Sequence, residues 1–320
     1  MAQHFLLSTK ARTLSLAQVL RLSDQEAYDQ FKAIRFADNG GEAFCPKCGS
    51  HGLYTLARRK MWRCKGCGWQ FSVTSGTIFA ARKLSIRDIL AAIAIFANGA
   101  KGMSALQLSR DLDVQYKTAF VMAHKLREAM AAEDKGAKVS GKVEIDGMYV
   151  GGYVKPANYK EARIDRRLLA NQSGKRQSVI VARERKGKTI TFVAKSEAAA
   201  VPALYAAITP GSTVYADEAS HWDAFHAGYK TKRINHSLAY SDGEGCTNQA
   251  ESFFSRLRRA EIGTHHHIAG PYLAAYAAEM DWREDRRRVS NGEQFAAIVT
   301  AAAKHPISRQ WKGYWQKRKV

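Results

Sequence analysis

The sequence predicts an α+β protein of several domains, in which a small metal-stapled module and a helical module precede an α/β domain built on a mixed sheet. Three observations carry this. Two CxxC pairs stand about 15 residues apart near the N-terminus. A run of capped helical patterns follows. The second half then alternates in the period of two that marks β-strands, with acidic residues set into or just after them.

Composition narrows the partner. Lys+Arg 50 against Asp+Glu 29 gives a net charge of +21, which favours a polyanion and makes its binding steeply salt-dependent. A hydrophobic content of 46% is ample for folded cores. No apolar run reaches the roughly 18 residues that a membrane span requires, and MAQHFLLSTKAR lacks a signal-peptide pattern. The expected location is the cytoplasm. There, cysteines serve as metal thiolates more often than as disulfides.

Residues 1–40 read as a helical lead-in, with an amphipathic stretch from Leu16 to Phe36 and a start signal at Ser23-Asp24-Gln25-Glu26. Residues 41–80 hold Cys45, Cys48, Cys64 and Cys67. Each knuckle turns two sulfurs toward one point, and four thiolates close a tetrahedral Zn²⁺ site with no open position, so the metal is structural. Short strands at Leu53–Leu56 and 60–63 complete a zinc ribbon. Its arginines and lysines either touch phosphate or form a solvated face.

Residues 81–134 read as three helices. Ser85 and Asp88 form a capping box, and Ile86, Ile89, Leu90, Ile93 and Phe96 follow at helical spacing. A short helix from Ser104 and a longer one carrying Tyr116, Phe120, Ala123 and Leu126 make a helix-turn-helix that would present Gln115, Lys117 and Thr118 to a major groove. A plain three-helix bundle has the same pattern.

The domain expected at 140–290 opens on KVEIDGMYVGG, a strand interrupted by Asp146. An aspartate in an apolar strand costs folding energy unless something binds it. A basic insertion from Tyr153 to Lys175 follows, then strands at Gln177–Glu184 and 189–195, a helix at 197–208, and a strand ending in Asp217. A short helix at 221–228, a strand at 231–235, a loop at 237–247 and a helix from Asn248 to about Ile262 complete the order expected of an RNase H-like fold with a five-stranded mixed sheet. In that order Asp146 and Asp217 come side by side, and Glu251 points back from the late helix. Three converging carboxylates repel one another unless divalent cations sit between them. Two Mg²⁺ or Mn²⁺ ions about 3.5–4 Å apart would suit in-line phosphodiester displacement. Residues 291–320 read as a basic tail, ending in the aromatic QWKGYWQKRKV.

The segments CPKCG, RCKGCGWQFSVTSGTIF, VEIDGMYVGG, YADEASHW and NQAESFFSRLRRAEIGTHHHI together resemble the ISXO-like bacterial insertion-sequence transposases, which pair an N-terminal zinc ribbon with a DDE catalytic domain. The resemblance implies that Asp146, Asp217 and Glu251 are the DDE triad. It also implies that Arg258, two helical turns beyond Glu251, meets a DNA phosphate. Asn248, one turn before Glu251, is the alternative third ligand. The expected activity is binding of terminal inverted repeats with metal-dependent strand cleavage and transfer, by a homodimer or higher oligomer on double-stranded DNA. The rivals are a domesticated DNA-binding regulator and an RNase H-like nuclease.

Overall fold

The computed structural model describes residues 5–165, 168–171, 173–234 and 246–317. The chain divides into two compact units, one formed by 1–133 together with 286–320 and the other by 134–285.

In the first unit, α1 (Leu16–Leu20) and α2 (Asp24–Arg35) each start on a serine capping box, Ser15 with Gln18 and Ser23 with Glu26. The expected single stretch is therefore two helices. Three antiparallel strands follow, β1 (Leu53–Leu56), β2 (Met61–Cys64) and β3 (Gln70–Ser72), in the order β1-β2-β3. Arg35 is buried and donates to the carbonyl oxygens of Ser72, Val73 and Ser75, which ties α2 to the exit of this sheet. Beyond it lie α3 (Ile86–Asn98), α4 (Ala105–Asp111) and α5 (Tyr116–Glu133).

Residues 291–320 are not simply a tail. They contain α9 (Asn291–Lys304), opened by a Ser290–Glu293 capping box, with Phe295, Ile298, Val299 and Ala302 buried at helical spacing. This apolar stripe has to be covered, and α9 packs with α2, α3 and α5. After it, Trp311 is buried and stacks on His124 of α5, ring centroids 4.2 Å apart.

The second unit is built on one sheet, five-stranded among the described residues, in the order β6-β5-β4-β7-β8. These are β4 (Lys142–Val150), β5 (Gln177–Glu184), β6 (Thr189–Ala194), β7 (Thr213–Asp217) and β8 (Lys230–Ile234). β4 is central, antiparallel to β5 and parallel to β7. Side chains alternate across the sheet. Val143, Ile145, Val214 and Ala216 pack on one face with α6 (Glu197–Ala207) and the 3-10 helix Ser220–Ala227. Met148, Val150, Val179 and Val181 pack on the other with α7 (Asn248–Arg259) and α8 (Leu273–Asp285). The unit is thus a mixed α/β three-layer structure. The basic insertion presents Lys155, Lys160, Arg163 and Lys175 to solvent. Its Arg166 and Arg167, and residues 235–245 at the end of the expected last strand and in the loop after it, lie outside the described residues.

Candidate active site

β4 and β7 run parallel in one-to-one register, pairing Lys142 with Thr213, Val143 with Val214 and, last, Glu144 with Tyr215. Two residues further along each strand come Asp146 and Asp217. Neighbouring strands lie about 4.8 Å apart. Both side chains have the parity of Met148, so they face the α7 layer rather than the α6 layer.

The helix that carries Glu251 is fixed at both ends by acids. Glu144, fully buried and two residues before Asp146, accepts hydrogen bonds from the backbone N–H groups of Gln249 at 2.8 Å and Ala250 at 3.1 Å. Thr247 supplies no side-chain cap, so Glu144 satisfies the first turn of α7 from the neighbouring strand β4. Arg185 pairs with Glu144 at 2.7 Å and also donates to the Cys246 carbonyl oxygen at 2.8 Å. At the other end, Glu284 of α8 receives Arg256 of α7 at 2.5 Å and Arg183 of β5 at 2.8 Å. Glu251 and Asn248 are exposed on the first turns of α7. Arg258 is exposed as well, and its Nε approaches the Met148 sulfur at 3.0 Å.

Electrostatics link these acids. The Asp146 carboxyl is pushed up to about 7, by burial first and then by the charges of Asp217, Glu197 and Glu251, against a hydrogen bond from the Gly147 N–H at 2.7 Å that pulls it down. Negative charge here is in excess. Carboxylate oxygens with surplus charge are a donor set suited to a hard divalent cation such as Mg²⁺ or Mn²⁺.

Glu197 comes from the opposite face. It begins α6, and its carboxyl occupies the space that a side chain at Gly147 would fill, since a Cβ there would lie 2.3 Å from Glu197 Oε1. His221 Nε2 holds the same carboxyl at 3.1 Å. Burial raises the Glu197 carboxyl above its ordinary value, with His221 pulling the other way.

In the first unit, Cys45 and Cys64 are buried, Cys48 and Cys67 exposed, and their four sulfurs lie within 4.8 Å of one another. Among the described residues this is the one group of three or more potential ligands drawn so close. Its donors fit one tetrahedral Zn²⁺.

Residues 138–285 match the family model of the ISXO2-like transposase domain, and residues 22–70 match the transposase zinc-ribbon domain. The chain carries the two domains of an ISXO2-like insertion-sequence transposase. Among curated proteins none matches it. The transposase-domain match spans nearly all of the second unit, and so includes Asp146, Asp217 and Glu251 together with Glu144 and Glu197. The zinc-ribbon match starts within the lead-in, so α2 belongs with the four cysteines, in keeping with the Arg35 contacts to residues 72–75.

Sequence reasoning singled out Asp146, Asp217, Glu251, Asn248 and Arg258, and missed Glu144 and Glu197. Glu144 had a visible signal, because it is a second acid in the apolar strand that holds Asp146. Glu197 had none of its own. An acid in the first turn of a helix reads as a favourable charge at the helix dipole.

Proposed function

We propose that the chain is a DNA transposase which binds the terminal inverted repeats of its element, cleaves DNA strands at those ends and joins the freed 3′-hydroxyl to target DNA. The observation that supports this reading is the raised Asp146 carboxyl, pushed up by burial and by the charges of Asp217, Glu197 and Glu251, two residues beyond the last pair of the β4–β7 ladder. The second unit would be an RNase H-like domain, for which the mixed sheet with antiparallel β4–β5–β6 and parallel β4–β7–β8 pairs speaks.

Asp146, Asp217 and Glu251 would hold two Mg²⁺ or Mn²⁺ ions, with Asn248 as the alternative to Glu251. Bound there, the ions supply Lewis-acid activation of an attacking oxygen and charge stabilisation at the leaving oxygen. The chain's own groups do the rest. Arg258 offers a guanidinium to a DNA phosphate on the same helix as Glu251. Glu144 and Glu284 hold that helix still, so its acid needs no reordering when DNA arrives. Hydrolysis and strand transfer are one displacement with different nucleophiles, so a single set of acids can serve both.

The zinc ribbon, with a structural Zn²⁺ on Cys45, Cys48, Cys64 and Cys67, and the helix-turn-helix of α4 and α5 would hold duplex DNA at the element ends. Two ends must be joined, so the working form would be at least a homodimer on DNA. Among the described residues no helix is long and apolar enough to cross a membrane, and the nucleoid is the proposed location.

The test is strand cleavage and joining on a duplex bearing the element's ends, in Mg²⁺ or Mn²⁺. Wild type should nick and join, while Asp146→Asn, Asp217→Asn and Glu251→Gln should bind the ends and leave them intact. Loss of chemistry in Asn248→Ala with activity retained in Glu251→Gln would move the third ligand to Asn248. Tight binding without cutting in either metal would replace this reading by that of a regulator.

A further inference from the structure

Gln115, Lys117 and Thr118 line a hollow of about 500 Å³ between the segment 79–84, α5 and residues 311–316, all within the first unit.

Its chemistry is one-sided. Arg82, Lys83, Lys117, Lys125 and Lys312 line it, and no carboxylate does among the described residues. Lys125 is half-buried there, and desolvation lowers its pKa, a cost that a bound anion would offset. The other wall is aromatic. Trp315 Nε1 donates to the Lys117 carbonyl oxygen at 3.3 Å, and the Lys117 ammonium lies 5.4 Å from the Trp315 ring centroid. Tyr314 meets Trp315 edge to face at 5.2 Å, while Trp315 remains 44% exposed. Ala81, on the rim, has φ +57°, a left-handed conformation that costs an alanine energy and is found at ligand clamps.

Size decides the ligand. A volume of about 500 Å³ falls in the range of small-ligand pockets and suits one or two nucleotides. We propose that this hollow binds an unpaired stretch of DNA, with phosphates on Lys83, Lys117 and Lys312 and a base stacked on Trp315. Recognition is sequence-tolerant, because every base offers a face to an aromatic ring. The site goes beyond the duplex binding proposed above, and only the choice of DNA over RNA rests on the transposase reading.

The experiment measures anisotropy of labelled (dT)10, (rU)10 and a 10-base-pair duplex with the full-length chain across a salt series. Wild type should bind (dT)10, and Trp315→Ala should weaken that about tenfold while changing duplex affinity less than twofold. Trp315→Phe, which keeps a ring, should stay within twofold of wild type on both. The exposed pair Lys117→Ala and Lys312→Ala should lower the salt slope on (dT)10 by about 0.7 per cation removed. That reading decides the matter even if Trp315→Ala misfolds. Absence of (dT)10 binding, an equal loss on single strand and duplex, or an unchanged salt slope in the lysine variant overturns the proposal, and a clear preference for (rU)10 overturns the choice of DNA. Asp146→Asn should keep all of this binding. A wild type that binds (dT)10 yet cuts nothing would sink the catalytic reading and leave this one standing.

Discussion

Glu144 accepts the backbone N–H of Ala250, the residue before Glu251, at 3.1 Å. The strand that carries Asp146 and the helix that carries Glu251 are thereby joined by one buried carboxylate, whose other oxygen is paired with Arg185.

Replacing Glu144 by alanine takes the carboxylate from Arg185 and leaves the Gln249 and Ala250 amides without their acceptor. Breaking a buried pair from one side costs about 3–5 kcal/mol, and urea unfolding of Glu144→Ala should show a loss of that size. Glu144→Gln keeps an acceptor for the helix amides and should lose about 1–3 kcal/mol. Both variants should cut DNA more slowly than wild type, alanine the more so.

The raised Asp146 carboxyl makes a pH prediction whose sign is fixed. Its folded value, about 7, lies above the ordinary 3.8, so the fold favours the neutral acid. That stabilisation is complete below pH 4, is lost as pH rises toward 7, and amounts to at most about 4 kcal/mol. Metal-free protein should therefore melt lower at pH 8 than at pH 5. Asp146→Asn should flatten part of this slope, but not all, because Asp285 is pushed up to about 6 by burial and acts in the same direction. Adding Mg²⁺ should restore stability at pH 8 in wild type and not in Asp146→Asn.

Gly147 and Glu197 occupy one space. Gly147→Ala should destabilise by about 1–3 kcal/mol through overpacking, because the new Cβ meets the Glu197 carboxyl. Glu197→Ala in the same chain should relieve most of that cost. A thermal-melt double-mutant cycle reads the coupling directly, and additive effects would mean that the two positions do not meet.

One zinc per chain is expected at the four cysteines, measured by metal analysis of protein purified without added metal. Zinc sites of small modules contribute apparent binding energies of about 10–16 kcal/mol at neutral pH. Cys64→Ser, at a buried ligand position, should release the metal and abolish end binding while the second unit keeps its own unfolding transition.

Much of this architecture was legible because it rests on local pattern. Asp146 stood out as a charge in an apolar strand, Asp217 as the acid at a strand's end, and the cysteines by their spacing. What stayed hidden depends on partners distant in sequence. Glu144 gains its meaning from Arg185 and the start of α7, and Glu197 from a glycine about 50 residues earlier. β3 is only three residues long, too short for a periodic signal. The helix α9 was readable, since Ser290, Glu293, Phe295, Ile298 and Val299 form a capped helical pattern. Reading that segment for its basic charge obscured its period.

The first unit takes α9 from beyond the second, and this sets an order of events during synthesis. When Glu133 leaves the ribosome, α2, α3 and α5 still lack the helix that covers them. At bacterial rates of roughly 5–20 residues per second, the intervening 150 or so residues take about 10–30 s to make. In that interval the metal-binding strands and the second unit can fold, while the apolar faces of the helical unit wait exposed. A nascent chain is therefore open to chaperones at that stage, and its first unit closes last.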